Sequence, residues 1–432
     1  MLSERRRSVG KSAFWVIVSV VCTCGLSEAA SPAGLDELIA EALRVNPEIQ
    51  AAQKRYEALR QRVAQEGSLP EPMVSVGYAS VGSPRPVAGL GSEPMARAGV
   101  MVSQELPFPG KRGLRSEIAL KEAQEALQEY RAVALAVTAR LKAAYQRWRH
   151  RRQQQRVLEI SRDQFLAVIA ISETRYAAGL AEQQDILKAQ TQLAVLEARR
   201  IRLEQEARTA TAEINSLLAR PPDAPLALLE KTAPSELTAS MKEILAAAFR
   251  DSPALRRAQK SIEKAGLGVD LARKNYLPDY TLSAGYYNQG KMPDMYEVRV
   301  DLKIPLWYWG KQRAAVAEQV NRASQTRREY EATAQELIFR LRESYLAAEA
   351  SSRLVHMYAD TVIPQAALAL ESSLASYQAG KADFLNVLTS LMAKTEYETN
   401  YYEEMLAFHL AVIRLEELTG TDWLKAERGG KR

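Results

Sequence analysis

Side chains able to do chemistry are scarce in this sequence. There are three histidines, His150, His356 and His409, and two cysteines, Cys22 and Cys24. Imidazole and thiolate ligands usually announce a metal site by close spacing, such as two ligands one helical turn apart. These histidines lie far apart in the chain and form no local metal motif. Both cysteines fall in the N-terminal segment, so a processed chain has no internal thiol nucleophile and no disulfide framework. No phosphate-cradling loop or cofactor motif is present either. The expectation is a non-enzymatic protein with no cofactor and no resident metal; a carboxylate pair is the one catalytic constellation that sequence leaves open.

Charge is spread evenly. The 432 residues carry 58 Lys+Arg against 52 Asp+Glu, a net +6. That balance predicts no nucleic-acid partner. One basic run stands out: Arg147, Trp148, Arg149, His150, Arg151, Arg152 and Arg156. In a helix it reads as a solvated or lumen-lining face, or as contacts to acidic neighbours, before it reads as a nucleic-acid patch.

The N-terminus reads as an export signal over residues 1–29. Arg5, Arg6, Arg7 and Lys11 precede a short apolar core, Ala13–Val21, and Ser27 and Ala29 supply small residues around a cut after Ala29. A membrane anchor is the rival reading, and the apolar core is short for a span. A second rival is a lipoprotein cut before Cys24, which would lipidate that cysteine. Export predicts a bacterial protein of the periplasm, outer membrane or exterior.

The elements that position everything else come in two copies. Ala42–Gln53 matches Ala248–Gln259, Leu69-Pro70 matches Leu277-Pro278, and Gly77-Tyr78 matches Gly285-Tyr286. Leu106-Pro107 before Gly110-Lys111 matches Ile304-Pro305 before Gly310-Lys311, with two extra residues in the second copy. Tyr176-Ala-Ala-Gly179 matches Tyr377-Gln-Ala-Gly380. Matches that keep their order along both copies mean tandem duplication. The first copy is 35–219 and the second 238–420, joined by a Pro-rich linker, 220–237, and followed by a polar tail, 421–432.

Each copy reads helix, β-hairpin, long helix, helix. The helices of the first copy are 35–67, 114–178 and 183–219, with the hairpin at 72–105. Those of the second are 238–276, 313–378 and 382–419, with the hairpin at 279–304. Heptads run through Leu120, Leu127, Ala134, Leu141 and Trp148, through Ala189, Leu196, Leu203, Ala210 and Leu217, and through Ala334, Leu341, Ala348, Val355 and Val362. They predict helices packed side by side. A 65-residue helix is about 100 Å long. Two shorter helices stacked end to end match that length. Pro364 predicts a kink near Ile363.

Tyr296, Val298, Val300 and Leu302 alternate with Glu297, Arg299, Asp301 and Lys303. Ten-residue alternating strands in an exported chain, with Trp307-Tyr308-Trp309 and Phe108 just beyond them, predict a membrane β-barrel. The apolar face meets lipid, and Glu297, Arg299 and Asp301 face a wet lumen. A small soluble sheet is the rival. Four strands cannot close a useful barrel, so several chains must contribute.

With Gln104–Arg112 (QELPFPGKR), Val362-Ile-Pro-Gln365, the two Tyr-x-x-Gly motifs and Phe384–Leu388 added, the sequence resembles the TolC-like outer-membrane factors, or outer-membrane efflux proteins. The resemblance covers about residues 35–420. It implies a homotrimer in which each chain gives four strands to a 12-stranded barrel, while antiparallel helices build a periplasmic tunnel. It implies a periplasmic adaptor and an inner-membrane transporter, of RND type, as partners, and outer-membrane lipid around the barrel. Adaptor docking falls on Tyr176, Gly179, Leu180, Tyr377, Gly380 and Lys381. A charged constriction falls on Asp185, with Asn386 and Thr389 where the family often has Asp, and Glu182 and Asp383 as replacement charge. The Pro-Phe-Pro-Gly-Lys-Arg turn is similar to the CzcC-type heavy-metal branch, which implies metal cations as cargo; drug efflux or type I secretion are the alternatives within the fold. A soluble periplasmic coiled-coil adaptor is the alternative from another class.

Overall fold

The computed structural model describes residues 34–82, 85–226 and 237–423. The export segment with Cys22 and Cys24, the middle of the linker and the end of the tail lie outside them.

Nine α-helices and four strands follow in the order α1 (Leu35–Val45), α2 (Pro47–Gly67), β1 (Met73–Ala79), β2 (Arg97–Leu106), α3 (Lys111–Ala177), α4 (Gln183–Leu217), α5 (Met241–Asp251), α6 (Pro253–Lys274), β3 (Asp279–Asn288), β4 (Met295–Lys303), α7 (Arg313–Met357), α8 (Ile363–Gln378) and α9 (Phe384–Thr419) among the described residues. The expected single helices 35–67 and 238–276 are each two helices. Pro47 and Pro253 sit at first helical positions, where a missing N–H costs nothing. Asn46 caps α2, accepting from the Glu48 and Ile49 amides. The long helix of the second copy does not break at Pro364. A π-helical turn, Tyr358–Val362, leads into α8 just ahead of it, so the chain absorbs the missing amide by widening one turn.

Ion pairs set the helix alignment. Glu48 meets Arg140, Arg55 meets Glu129 and Arg62 meets Glu122, so α2 runs antiparallel along the first half of α3. Glu213 meets Arg147 and Glu206 meets Arg151, so α4 runs antiparallel along the second half. The stacked ends join where Asn46 Nδ2 donates to the Leu217 carbonyl at 2.9 Å and Arg220 grips Glu41 at 2.7 Å. On the other flank α3 meets α6 through Lys121–Glu263 and Lys264–Glu125, and α9 through Lys142–Glu416 and Thr395–Ser161.

The heptad of α4 is buried at Ala189, Leu196, Ala210 and Leu217. That of α3 is only partly so: Leu141 is buried, as are Ala123, Val137 and Ala144, which lie three residues on from seam positions, while Leu120 is exposed. A straight helix drifts about 20° per heptad against a seven-residue repeat. Over 67 residues with different neighbours at each end, the buried stripe wanders.

The two hairpins form one antiparallel sheet in the order β1-β2-β3-β4. The copies meet at β2–β3, where Val102 faces Ala284 and Val100 faces Tyr286. One face carries Val74, Val76, Val100, Val102, Leu282, Tyr286, Tyr296, Val298, Val300 and Leu302, all exposed; Val76 reaches 81% and Tyr296 and Val298 77%. The opposite face carries Ser75, Ser103, Ser283, Glu297, Arg299 and Asp301.

Lys111 fastens the sheet to the helices. Its side chain is only 2% exposed, and Nζ donates to Asp279 Oδ1 at 2.8 Å and to the Leu277 carbonyl at 2.9 Å. The Phe108 amide donates to the same carboxylate oxygen at 2.8 Å. Replacing Lys111 with Ala leaves a part-buried carboxylate without its counter-charge. The expected cost is about 3 kcal/mol, read as a lower unfolding temperature of the purified protein in detergent.

Candidate functional site

Three places in the chain carry the functional candidates: the tip where α3 turns into α4 and α8 into α9, the midsection around the basic run, and the sheet.

Both tip turns use the same device. Gly179 and Gly380 sit at φ +69° and +71°, a region costly to a residue with a Cβ. The Gly179 amide donates to the Tyr176 carbonyl at 2.9 Å and the Leu180 amide to the Arg175 carbonyl at 2.8 Å. The second turn repeats this with Gly380 to Tyr377 at 3.0 Å and Lys381 to Ser376 at 2.8 Å. Two orphan carbonyls are thereby satisfied at each helix end. Tyr176, Gly179, Leu180, Gly380 and Lys381 stand exposed. Tyr377 does not: it is 3% exposed, packed edge-on against Phe384, its hydroxyl 3.4 Å from Ser172 Oγ. The two tyrosines of a repeated motif therefore play different parts, Tyr377 holding the tip from inside.

Arg175 is the tip residue that motif reading missed. Its guanidinium lies 4.7 Å from the Tyr377 ring centroid, and Nη1 donates to the Tyr377 carbonyl at 2.9 Å. It therefore ties the first turn to the second. The signal was available: the equivalent residue in the second copy is Ser376, so the repeat alignment is broken there.

The constriction candidates gather beside the tip. Burial pushes the Asp185 carboxyl above its ordinary value, opposed by Lys188 and reinforced by the charges of Glu182 and Asp383. Three carboxylates from two turns thus share one electrostatic neighbourhood. Asn386 and Thr389 are exposed on the first turns of α9. Thr389 lines a groove of about 440 Å³ between α4 and α9, with Leu187, Lys188, Leu385 and Met392.

Two arginines of the basic run are paired with carboxylates. Arg147 bonds Glu213, and Arg151 bonds both Glu206 and Glu403. Arg149 and His150 are buried. Acidic neighbours are thus present for Arg147 and Arg151. Sequence spacing did not place His150 beside His409, yet their rings lie 5.3 Å apart between α3 and α9. Burial lowers the His150 pKa to about 2 and the His409 pKa to about 4, with Arg149 adding to both. His409 Nδ1 donates to the Met405 carbonyl at 2.7 Å. Among the described residues no group of three or more metal-ligating side chains occurs.

On the sheet, Arg299 bonds Asp301 at 3.0 Å and lies 3.7 Å from Glu297. The three expected lumen residues thus share one face and one cluster, with Arg299 and Asp301 exposed and Glu297 half-buried. Beyond the strands, Trp307, Tyr308 and Trp309 pack edge to face and stay exposed. Tyr286 and Tyr296 pair near the other end. Two aromatic belts bracketing an apolar band is the layout of a membrane barrel. No helix is long and apolar enough to cross a membrane, among the described residues.

Two predictions follow from this geometry. Gly380→Val forces a branched side chain into the left-handed region, at an expected cost of about 1–2 kcal/mol, measured by thermal unfolding. The buried imidazoles stay neutral when folded, whereas in the unfolded chain they take up protons near pH 6.5. Their stabilising contribution is complete above that pH and is lost as pH falls, towards about 4 for His409 and about 2 for His150. Replacing both with Gln should shrink the drop in melting temperature between about pH 7.5 and about pH 5.

A family model, outer membrane efflux protein, matches residues 38–220 and 244–421, one stretch in each copy. The pyoverdine export outer membrane protein OpmQ of Pseudomonas aeruginosa is 24% identical over 343 residues, 77% of this chain and 70% of its own length. Among solved structures, the outer membrane protein VceC of Vibrio cholerae superposes with a TM-score of 0.76 at 19% identity, covering 90% of this chain and 96% of that one. The outer-membrane channel OprN gives 0.75 at 17% identity, covering 90% of each, and CusC 0.73 at 16%, covering 91% and 95%. The chain belongs to the outer membrane efflux protein family, with its place in the bacterial outer membrane and a large helical part in the periplasm.

Proposed function

We propose that this chain is the passive exit duct of a tripartite efflux assembly. Three copies close their sheets into a 12-stranded barrel, and their helices continue it as a tunnel across the periplasm. The observation that carries this reading is the sheet: one face presents ten exposed apolar side chains from Val74 to Leu302, the other carries Ser75, Ser103, Ser283, Glu297, Arg299 and Asp301, and both outer edges are open. A soluble coiled-coil adaptor has no use for such a face.

The exposed tip turns, with Leu180 and Lys381, are the docking surface for a periplasmic adaptor coupled to an inner-membrane transporter of RND type. Glu182, Asp185 and Asp383 supply an acidic ring at the narrow end, which favours cations and repels itself when closed. Work is done by the pump; the duct contributes a wet path. Heavy-metal cations are the cargo we assign, on the Leu106–Arg112 turn and the acidic tip. The relative named for pyoverdine export supports an organic chelate as the second reading.

The test is a strain lacking this chain. Its growth should become sensitive to divalent zinc, cobalt or cadmium, and the full-length protein should restore tolerance. Sensitivity confined to organic compounds would overturn the metal cargo and leave the duct. A purified protein that is a compact monomer, soluble without detergent, would overturn the duct.

A further inference from the structure

The duplication predicts how one copy joins the next. Within the chain the first copy meets the second at β2–β3, and Lys111 crosses that join to Asp279 and the Leu277 carbonyl. β4 is the repeat of β2, and β1 the repeat of β3. Both are edge strands, with no further strand beyond them among the described residues. If copies close in a ring, as the duct reading requires, β4 of one copy should meet β1 of the next as β2 meets β3.

Transferring the register is direct. Leu106 faces Tyr280 across β2–β3. Their repeats are Ile304 and Pro72. Counting back along both strands sets Leu302 against Val74, Asp301 against Ser75, Val300 against Val76 and Arg299 against Gly77. Three independent features agree with this alignment. First, Leu302, Val300 and Val298 fall opposite Val74, Val76 and Tyr78, so the apolar face continues unbroken; a slip of one residue would set apolar against polar throughout. Second, sizes complement. Gly99 packs beneath Tyr287 in the internal join, where any Cβ would collide with it. In the new join Glu297 faces Ala79, large and small exchanged, and Arg299 faces Gly77, where a Cβ would meet nothing within 4 Å. Third, the repeats of the internal lock are present and unused. Lys311 repeats Lys111, and Glu71 repeats Asp279. Both are exposed, and neither has an ion-pair partner among the described residues. The two extra residues of the second copy fall just before Lys311, where a π-helical turn, Tyr308–Gln312, takes them up.

We propose that β4 of each copy pairs antiparallel with β1 of a second copy in the register Leu302–Val74 and Val300–Val76, that Asp301 there accepts a hydrogen bond from the Ser75 hydroxyl of that copy, and that Lys311 clasps its Glu71. Ser75 and Asp301 repeat Ser283 and Ser103, whose hydroxyl oxygens lie 2.9 Å apart. The proposal rests on the ring reading of the duct.

The test is disulfide trapping in outer membranes with the full-length chain. S75C combined with D301C should form covalent dimers and trimers on mild oxidation, since facing residues bring their Cβ atoms within disulfide range. S75C alone, D301C alone and S75C with R299C should stay monomeric on a non-reducing gel. Cross-linking through 299 instead of 301, or none while a lysine-reactive cross-linker still yields trimers, would overturn the register and leave the trimer. Only monomers with both reagents would overturn the ring itself. K311E should lower the temperature at which detergent-solubilised trimers separate, and adding E71K should restore it. A double variant no better than K311E would overturn the clasp.

Discussion

Everything in this fold answers to one requirement: strands placed in hydrocarbon must leave no backbone amide or carbonyl unpaired. Four strands in the order β1-β2-β3-β4 satisfy each other inside and leave β1 and β4 open. A soluble protein would cover such edges with charge, a bulge or a helix. Here no helix covers the sheet's apolar face, whose side chains from Val74 to Leu302 stay exposed. The burial missing from one chain has to come from lipid on one face and from other copies at the edges. The long coil can be polar and loosely hydrophobic because it has water on its outside and neighbours along its length.

The helical part is stable for a different reason. Its core is a series of small clusters: two along α3, with Leu38, Leu141 and Ile214 at the stacked end and Phe165, Leu196 and Phe384 near the tip, and two along α7 and α9, with Ile244, Leu341 and Leu415 in one and Ala348, Phe408 and Val412 in the other. Each cluster joins helices far apart in sequence. Ion pairs between α2 and α3, and between α3 and α4, add register more than energy, since most are exposed. The buried Lys111 contact differs in kind. It sits where coil meets sheet, and so sets the angle at which the one continues into the other.

Much of this was readable before any coordinates. Duplication was legible because Pro, Gly and Tyr recur at matched places, and those residues fix turns. The alternation of Tyr296–Leu302 announced its two faces directly. Other features were not legible, for physical reasons. The breaks at Asn46-Pro47 and Ser252-Pro253 were hidden because Pro suits a first helical turn as well as it ends one. Leu120 was assigned to a seam that helix drift carries away. The pairing of His150 with His409 depends on the stagger of α9 against α3, which no local pattern encodes. The repeat gives Tyr377 the same docking role as Tyr176, but burial divides their roles, and only the difference between Arg175 and Ser376 hints at it.

That difference bears on how a narrow end could widen. The Arg175 guanidinium rests on the Tyr377 ring and holds its carbonyl, so the α3–α4 turn and the α8–α9 turn of one chain are a single rigid claw. A claw of this kind cannot spread its own two fingers without giving up a cation–π contact and a charged hydrogen bond together.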